Sequence, residues 1–273
     1  MTSWTKIAAC CAALLAGLNG PARAQDVPDD LVRAELRDGW VTETGARMTA
    51  LHLTLAPGWK TYWRVPGAAG IPPRFDWSGS DNLRTVAYHW PRPEVIAVGG
   101  MRTLGYHGEL VLPIEIRPAD PARPLVARAE IELGVCRDIC VPVTLDLTAT
   151  FAAGSPGAPD PLIRQALSRV PESAAEAGLV AARCEVTPIR DGMRLSSRLT
   201  LPALGAEEFA VVELADRSVW VSETETERAG GDLLTTADLV PPSAAPFALD
   251  RSQIRFTLFS GNGRVVDVHG CTG

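Results

Sequence analysis

Ala129-Glu130-Ile131-Glu132-Leu133-Gly134-Val135-Cys136-Arg137-Asp138-Ile139-Cys140-Val141-Pro142-Val143-Thr144-Leu145-Asp146-Leu147-Thr148 is the stretch on which the reading of this chain turns. Two apolar-alternating runs, one before Gly134 and one after Pro142, flank two cysteines with three residues between them. Their period of two is that of half-buried strands. On one extended strand Cys136 and Cys140 would lie roughly 13 Å apart, far beyond the about 4.4–6.8 Å that a disulfide allows between Cα atoms. With Arg137-Asp138-Ile139 as the loop of a hairpin they face each other at about 4.5–5.5 Å, within bonding range. One helical turn would also bring them together, but strand patterns on both sides favour a hairpin with the pair at its tip or shoulder.

Closing a loop of about five residues stabilises a fold by only ~2 kcal/mol, so the pair is a poor staple. Tight, loop-borne disulfides are the readily reduced kind. Arg137 beside Cys136 favours a thiolate there, and Asp138 partly offsets it. A structural staple or two free thiols remain open on the residues alone, with redox chemistry the stronger reading.

The N-terminus has the form of a secretory signal peptide, residues 1–24: Lys6 in the n-region, Ile7 to Leu18 as the apolar run, and Ala22-Arg23-Ala24 for cleavage before Gln25. Cys10 and Cys11 fall within it, too early for a lipobox. Four cysteines then remain, enough for two disulfides in an exported protein. No later run approaches the about 18 apolar residues of a membrane span, so no membrane insertion is expected after signal cleavage. A formal charge of −6 and the scarcity of basic clusters argue against nucleic acid.

From Leu31 to Phe151 the pattern is all-β, with short strands such as Val32–Leu36, Met48–Leu55 and Leu110–Ile116 between turn-rich spacers. Within it, the run from Pro57 to Trp77 gathers Trp59, Trp63 and Trp77 among prolines and glycines. These rings either cap the core or serve function, shielding the cysteine pair or meeting a partner. Ala152-Ala153-Gly154-Ser155-Pro156-Gly157-Ala158-Pro159 reads as a linker between independently folding units. Asp160 then serves as N-cap of a helix with Pro161 at its first position, an apolar stripe of Leu162, Ile163, Ala166 and Leu167, and Pro171 beyond its end. A second helical turn or two is expected over Glu172 to Leu179. β patterning resumes with strands at Cys184–Ile189, Arg194–Leu201, Phe209–Leu214, Val219–Ser222, Ile254–Phe259 and Arg264–Val268. Asp191-Gly192 and Asn262-Gly263 are hairpin turns by their chemistry. A Cys184–Cys271 bond would tie first strand to last as a structural disulfide, stabilising by ~4.6 kcal/mol. The four histidines show no metal-ligand spacing, and no nucleophile elbow or acidic cluster is present.

Taken together, Pro57-Gly58-Trp59-Lys60-Thr61-Tyr62-Trp63, Pro66-Gly67, Gly70-Ile71-Pro72-Pro73, Phe75-Asp76-Trp77-Ser78-Gly79-Ser80, Gly105-Tyr106 and Cys136-Arg137-Asp138-Ile139-Cys140-Val141-Pro142 carry a resemblance. The chain resembles, from about Asp30 onward, the periplasmic N-terminal region of the membrane reductant conductors DsbD and, more closely, ScsB (suppressor of copper sensitivity B). The resemblance implies an immunoglobulin-like sandwich whose cysteine pair takes electrons from a thioredoxin-like domain and passes them to periplasmic proteins. Cys136 and Cys140 map onto that pair, and Tyr62 and Tyr106 match aromatics of the family. DsbD has a wider cysteine spacing and an acidic-aromatic cap loop, whereas Pro93 to Gly100 here lack that chemistry. The membrane channel and C-terminal thioredoxin-like domain of the family are not in this sequence, so the expectation is a detached periplasmic part or a relative with a changed job.

The expectation is therefore an all-β protein of two immunoglobulin-like β-sandwich domains joined by a short linker and helix. Its divisions are the signal peptide (1–24), a DsbD N-terminal-like sandwich (25–151), linker and helix (152–182) and a second sandwich (183–273). The expected function is periplasmic thiol:disulfide interchange of the protein-disulfide reductase type, with no cofactor. Cys136 attacks and Cys140 resolves, while Arg137, Asp138, Tyr62, Trp63 and Tyr106 shield the pair or tune it. The expected partners are a thioredoxin-like or DsbD/CcdA-type membrane electron donor and periplasmic disulfide-containing proteins. The alternatives are a copper-tolerance module binding Cu(I) at Cys136 and Cys140, with Met101 or His107 completing the site, and a non-catalytic interaction module.

Overall fold

A computed structural model describes residues 30–98 and 100–273. The signal peptide with its cleavage site lies outside the described residues. The strands before the helix are β1 (Val32–Val41), β2 (Arg47–Leu55), β3 (Lys60–Tyr62), β4 (Arg74–Asp76), β5 (Leu83–Tyr88), β6 (Glu94–Val98), β7 (Met101–His107), β8 (Glu109–Pro118), β9 (Leu125–Cys136) and β10 (Cys140–Phe151). They make one sheet in the order β1-β2-β8-β5 and a second in the order β10-β9-β3-β7-β6, with β4 added to β9. After helix α1 (Pro161–Leu167) come β11 (Glu172–Ser173), β12 (Ala181–Ile189), β13 (Gly192–Thr200), β14 (Phe209–Glu213), β15 (Trp220–Val221), β16 (Glu225–Ala229), β17 (Asp232–Val240), β18 (Arg255–Phe259) and β19 (Val265–His269). These form sheets β11-β19-β18-β14 and β12-β13-β17-β15, with β16 on β17. The fold is all-β and immunoglobulin-like, as its alternating runs imply.

The β9–β10 hairpin shows how pattern becomes structure. Ala127, Ala129, Ile131 and Leu133 alternate with the exposed Arg128, Glu130 and Glu132 along β9 and enter the first core, and Val135 continues that inward row past the buried Gly134. β2 departs from alternation, being buried on both faces over most of its length. The cause is α1, which lays Ile163 against Met48 and Ala50 on the outer face of that sheet. Asp160 caps the helix, its carboxylate accepting from the N–H groups of Leu162 (2.7 Å) and Ile163 (3.2 Å).

Three expectations are corrected here. Glu172 to Leu179 is not helical: Glu172–Ser173 pairs in parallel with β19, Arg264 holds the Glu172 carboxylate at 2.8 Å, and turns follow. The stretch after Phe151 is no free linker either. Val41 N–H donates to Pro156, Ala158 N–H to Gly39, and Arg47 to Ser155, which stitches it to β1 and β2. Nor are the two cores separate. Phe259 and Val265 are buried in the cluster of the first sandwich, Trp63 meets Phe259 edge-on at 5.7 Å, and Phe209 stacks on the same ring at 4.7 Å. Arg64 crosses this boundary, its Nε 2.9 Å from Glu213 and its Nη2 2.9 Å from the Thr257 hydroxyl.

β16 and β17 were absent from the strands read from sequence. The inward row of β17 is Leu233, Thr235, Ala237 and Leu239, so its hydrophobic signal is diluted by a threonine and a small residue.

Candidate functional site

The last pair of the β9–β10 ladder is Cys136 opposite Cys140, closed by a disulfide with Cα atoms 4.1 Å apart. Arg137-Asp138-Ile139 form the loop, tightened by the Arg137 N–H donating to the Ile139 carbonyl at 2.9 Å. The two cysteines differ sharply in environment. Cys136 is 1% exposed, whereas Cys140 and the three loop residues stand in solvent.

Beneath the tip lies the Trp59 to Pro73 segment. Lys60 on β3 is the Cα partner of Cys136, which places both side chains on one face of the sheet. The Thr61 hydroxyl donates to the Gly134 carbonyl at 3.0 Å. Tyr62, itself 3% exposed, brings its hydroxyl within 3.7 Å of Cys140 Sγ. Burial raises the pKa of that hydroxyl above its usual 10.0, so it stays a protonated donor. Two glycines permit this packing. A Cβ on Gly134 would come within 2.8 Å of Ile71, and one on Gly70 within 2.9 Å of the Tyr62 ring.

The residues singled out from sequence are thus divided. Tyr62 reaches the pair. Trp63, the next residue of the chain, turns to the opposite face and is buried against Phe259, with the Arg64 guanidinium 3.9 Å from its ring centroid. Tyr106 is buried between the sheets, donating to the Pro91 carbonyl at 2.8 Å and stacking on Trp90; burial pushes its hydroxyl well up. Arg137 bonds Asp138 at 3.1 Å and lies over Trp59, so its charge is shared rather than aimed at sulfur. Such an exposed pair contributes little to stability. His107 is separated from Cys136 by Lys60 on the intervening strand and bonds Glu94 at 2.7 Å. Met101 begins the same strand at its other end. Neither is brought to the cysteines. Cys184 and Cys271 are joined by the second disulfide, Cα atoms 5.8 Å apart. Lys60 and Ile71 stand within the motifs that carry the resemblance but were not singled out for the site, because only long-range pairing and packing bring them to the cysteine hairpin.

The geometry defines a class: a β-sandwich that presents a disulfide at a hairpin tip, one sulfur-bearing residue exposed and the other buried. The family model for the N-terminal part of the thiol:disulfide interchange protein DsbD matches residues 34–152. That portion of the chain, which holds the whole cysteine hairpin, is similar to the DsbD N-terminal family. Among solved structures, the N-terminal periplasmic domain of ScsB from Proteus mirabilis is similar at 23% identity and a TM-score of 0.59, over 89% of this chain and 93% of that one. This likeness extends the shared fold across both sandwiches. The N-terminal domain of Neisseria meningitidis DsbD in its reduced form matches at 17% identity and a TM-score of 0.29, over 46% of this chain and 93% of that one. No curated protein matches the sequence. Among the described residues, no helix is long and apolar enough to cross a membrane.

Proposed function

We propose that the protein is a periplasmic thiol:disulfide interchange module that passes reducing equivalents through Cys136 and Cys140. A thioredoxin-like or membrane-conductor dithiol supplies the electrons, and disulfide-containing periplasmic proteins receive them. The observation that carries the reading is the asymmetry of the pair, a disulfide at a projecting tip with Cys140 exposed and Cys136 buried.

That asymmetry favours the reverse of the attack order taken from sequence. A donor thiolate reaches Cys140, the Cys136–Cys140 bond breaks, and Cys136 leaves as a thiolate that takes up a proton. The second donor thiolate then attacks the donor sulfur of the mixed disulfide, which frees Cys140 and leaves the donor oxidised. In the outgoing half, the Cys140 thiolate attacks a substrate disulfide, releasing one substrate thiolate. Cys136 attacks Cys140 in turn, so the substrate gains two electrons and the tip disulfide re-forms. Lys60, on the same face as Cys136, and the Tyr62 hydroxyl beside Cys140 supply a positive charge and a donor that favour the thiolate forms.

A redox titration tests the reading. In dithiol buffers of graded potential, Cys136–Cys140 should open well above the about −300 mV below which structural disulfides fall, while Cys184–Cys271 stays closed. Opening of both bonds together in the structural range, with no mixed disulfide formed, would discard it.

A further inference from the structure

Cys140 is the first residue of β10, and β10 is an edge: among the described residues it pairs with β9 alone. Edge strands present unpaired N–H and C=O groups, and proteins ordinarily blunt them with charge, bulges or shortness. β1, the edge of the facing sheet, has such protection. It carries Arg33, Glu35 and Arg37, a register break between Asp38 and Val41, and a bridge from Trp40 to Gly157. β10 is 12 residues long, keeps one unbroken register from Cys140 to Phe151, and holds a single charged residue, Asp146.

The phase of its outward groups follows from the ladder. In an antiparallel pair alternate residues exchange both bonds with the partner, and the others turn N–H and C=O away. The Arg137–Ile139 bond makes the next pair, Cys136 and Cys140, a non-bonded one. β9 confirms the phase: Gly134, opposite Pro142, gives its carbonyl to Thr61, and Arg128, opposite Thr148, exchanges bonds with the Ser80 hydroxyl. Pro142 itself stands where the ladder needs no N–H. The outward row therefore begins at Cys140 and continues through Thr144, Asp146 and Thr148. On the inner face Val141, Val143, Leu145 and Leu147 are only half-buried, whereas their β9 neighbours Ile131, Leu133 and Val135 are closed off from solvent.

We infer that the β10 edge is a docking rail for an extended, uncharged polypeptide segment that carries the cysteine exchanging with Cys140. The segment adds as a further strand, bonds the outward groups of Thr144 to Thr148, and lays alternate apolar side chains along the half-buried row. A strand in that place sets one residue opposite Cys140 with Cβ atoms about 4.5–5.5 Å apart, which is why the occupant bears a cysteine there. The exchange is the one already given: the Cys140 thiolate attacks the segment's disulfide, a mixed disulfide forms, and the displaced sulfur leaves as a thiolate. The inference rests on the interchange reading.

The test uses the full chain with Cys136→Ser and a short Thr- and Val-rich peptide whose central cysteine is activated as a thionitrobenzoate mixed disulfide. A second peptide is N-methylated at the alternate residues that would face β10, and activated glutathione serves as the small-thiol reference. The unmodified peptide should react about tenfold faster than its methylated form, from the loss of several backbone bonds. Thr144→Pro, which deletes an outward N–H as Pro142 does, should erase that advantage and leave the glutathione rate unchanged. In the crosslinked product the Thr144 and Thr148 amides should gain protection from hydrogen exchange. Equal rates for the two peptides, with glutathione reacting normally, would overturn the rail while leaving interchange intact. Failure of glutathione as well would overturn both.

Discussion

One chain carries two disulfides of identical chemistry in opposite settings. Cys184–Cys271 spans 87 residues, and Cys184 is buried beneath the returning C-terminus, its N–H bonded to Thr272 at 2.8 Å. Cys136–Cys140 spans four residues and sits on a projecting loop. On chain entropy alone the first stabilises by ~4.6 kcal/mol and the second by ~2 kcal/mol. The lesson is that the loop closed and the solvent around each sulfur assign the role, since the cysteine itself does not. The hairpin tip can open without disturbing a core, whereas opening the other bond frees the end of a sheet.

The sharpest way to break this comparison is capture. Cys136→Ser should accumulate mixed disulfides with periplasmic proteins through the exposed Cys140, whereas Cys140→Ser should accumulate none, a difference of all or nothing on non-reducing gels. Capture by Cys140→Ser instead would restore the order read from sequence and deny burial its role. Stability separates the bonds next. Cys184→Ala with Cys271→Ala should lower the unfolding free energy by about 4 kcal/mol, against about 2 kcal/mol or less for the tip pair, in urea titrations. Equal losses would mean that both bonds are staples.

Arg64 sharpens the comparison because it stands two residues beyond Tyr62, yet its ion pairs and hydrogen bonds run to Glu213, Asp267 and Thr257 of the second sandwich. It is 3% exposed, and burial pulls its pKa down against the pull of Glu213. Arg64→Met should destabilise by roughly 3 kcal/mol, since it strands buried carboxylates. The tip's reduction potential should stay where it was; a parallel shift in that potential would show the tip coupled to the interface. Asp267 adds a pH signature. Burial alone would raise its carboxyl, but Arg255, Thr257 and Arg64 hold it below 3.8. Its contribution is thus complete above pH 3.8 and disappears as pH falls through the lower folded value. Acid titration of Asp267→Asn should show a smaller loss in that window.

What sequence made legible was whatever local pattern encodes. The β9–β10 hairpin could be read because alternation brackets the cysteines, and the helix because Asp160 and Pro161 announce it. The roles of the aromatics were not legible, because β3 is three residues long and successive side chains on a strand face opposite ways. Tyr62 goes to sulfur and Trp63 to the second sandwich, a division fixed by pairing with Gly105 on β7 and by Phe259, nearly two hundred residues away. The joining of the cores was hidden for the same reason. A composition break at Ala152 marks a change of strand pattern, and only the folded chain shows Arg47 and Gly39 holding it down.

The smallest expected effect concerns Tyr62, whose hydroxyl meets the tip sulfur. Its hydroxyl donates toward Cys140 Sγ at 3.7 Å, and a thiolate accepts such a bond more strongly than a disulfide sulfur does. Tyr62→Phe keeps the ring that fills the space beside Gly70 and removes only the donor, so folding stability should change by less than about 1 kcal/mol. The rate at which reduced Cys140 is alkylated at neutral pH should fall about threefold to tenfold, because the bond favours the reactive thiolate. Burial holds the Tyr62 hydroxyl protonated beyond its usual 10.0, so the ratio of wild-type to variant rates should not collapse as pH is raised toward that value. Alkylation of Cys184 and Cys271 after full reduction and unfolding supplies the reference rate in the same sample. Equal Cys140 rates in both proteins would leave Tyr62 as packing alone, and the two disulfides would then differ by loop length and exposure without help from a tuned neighbour.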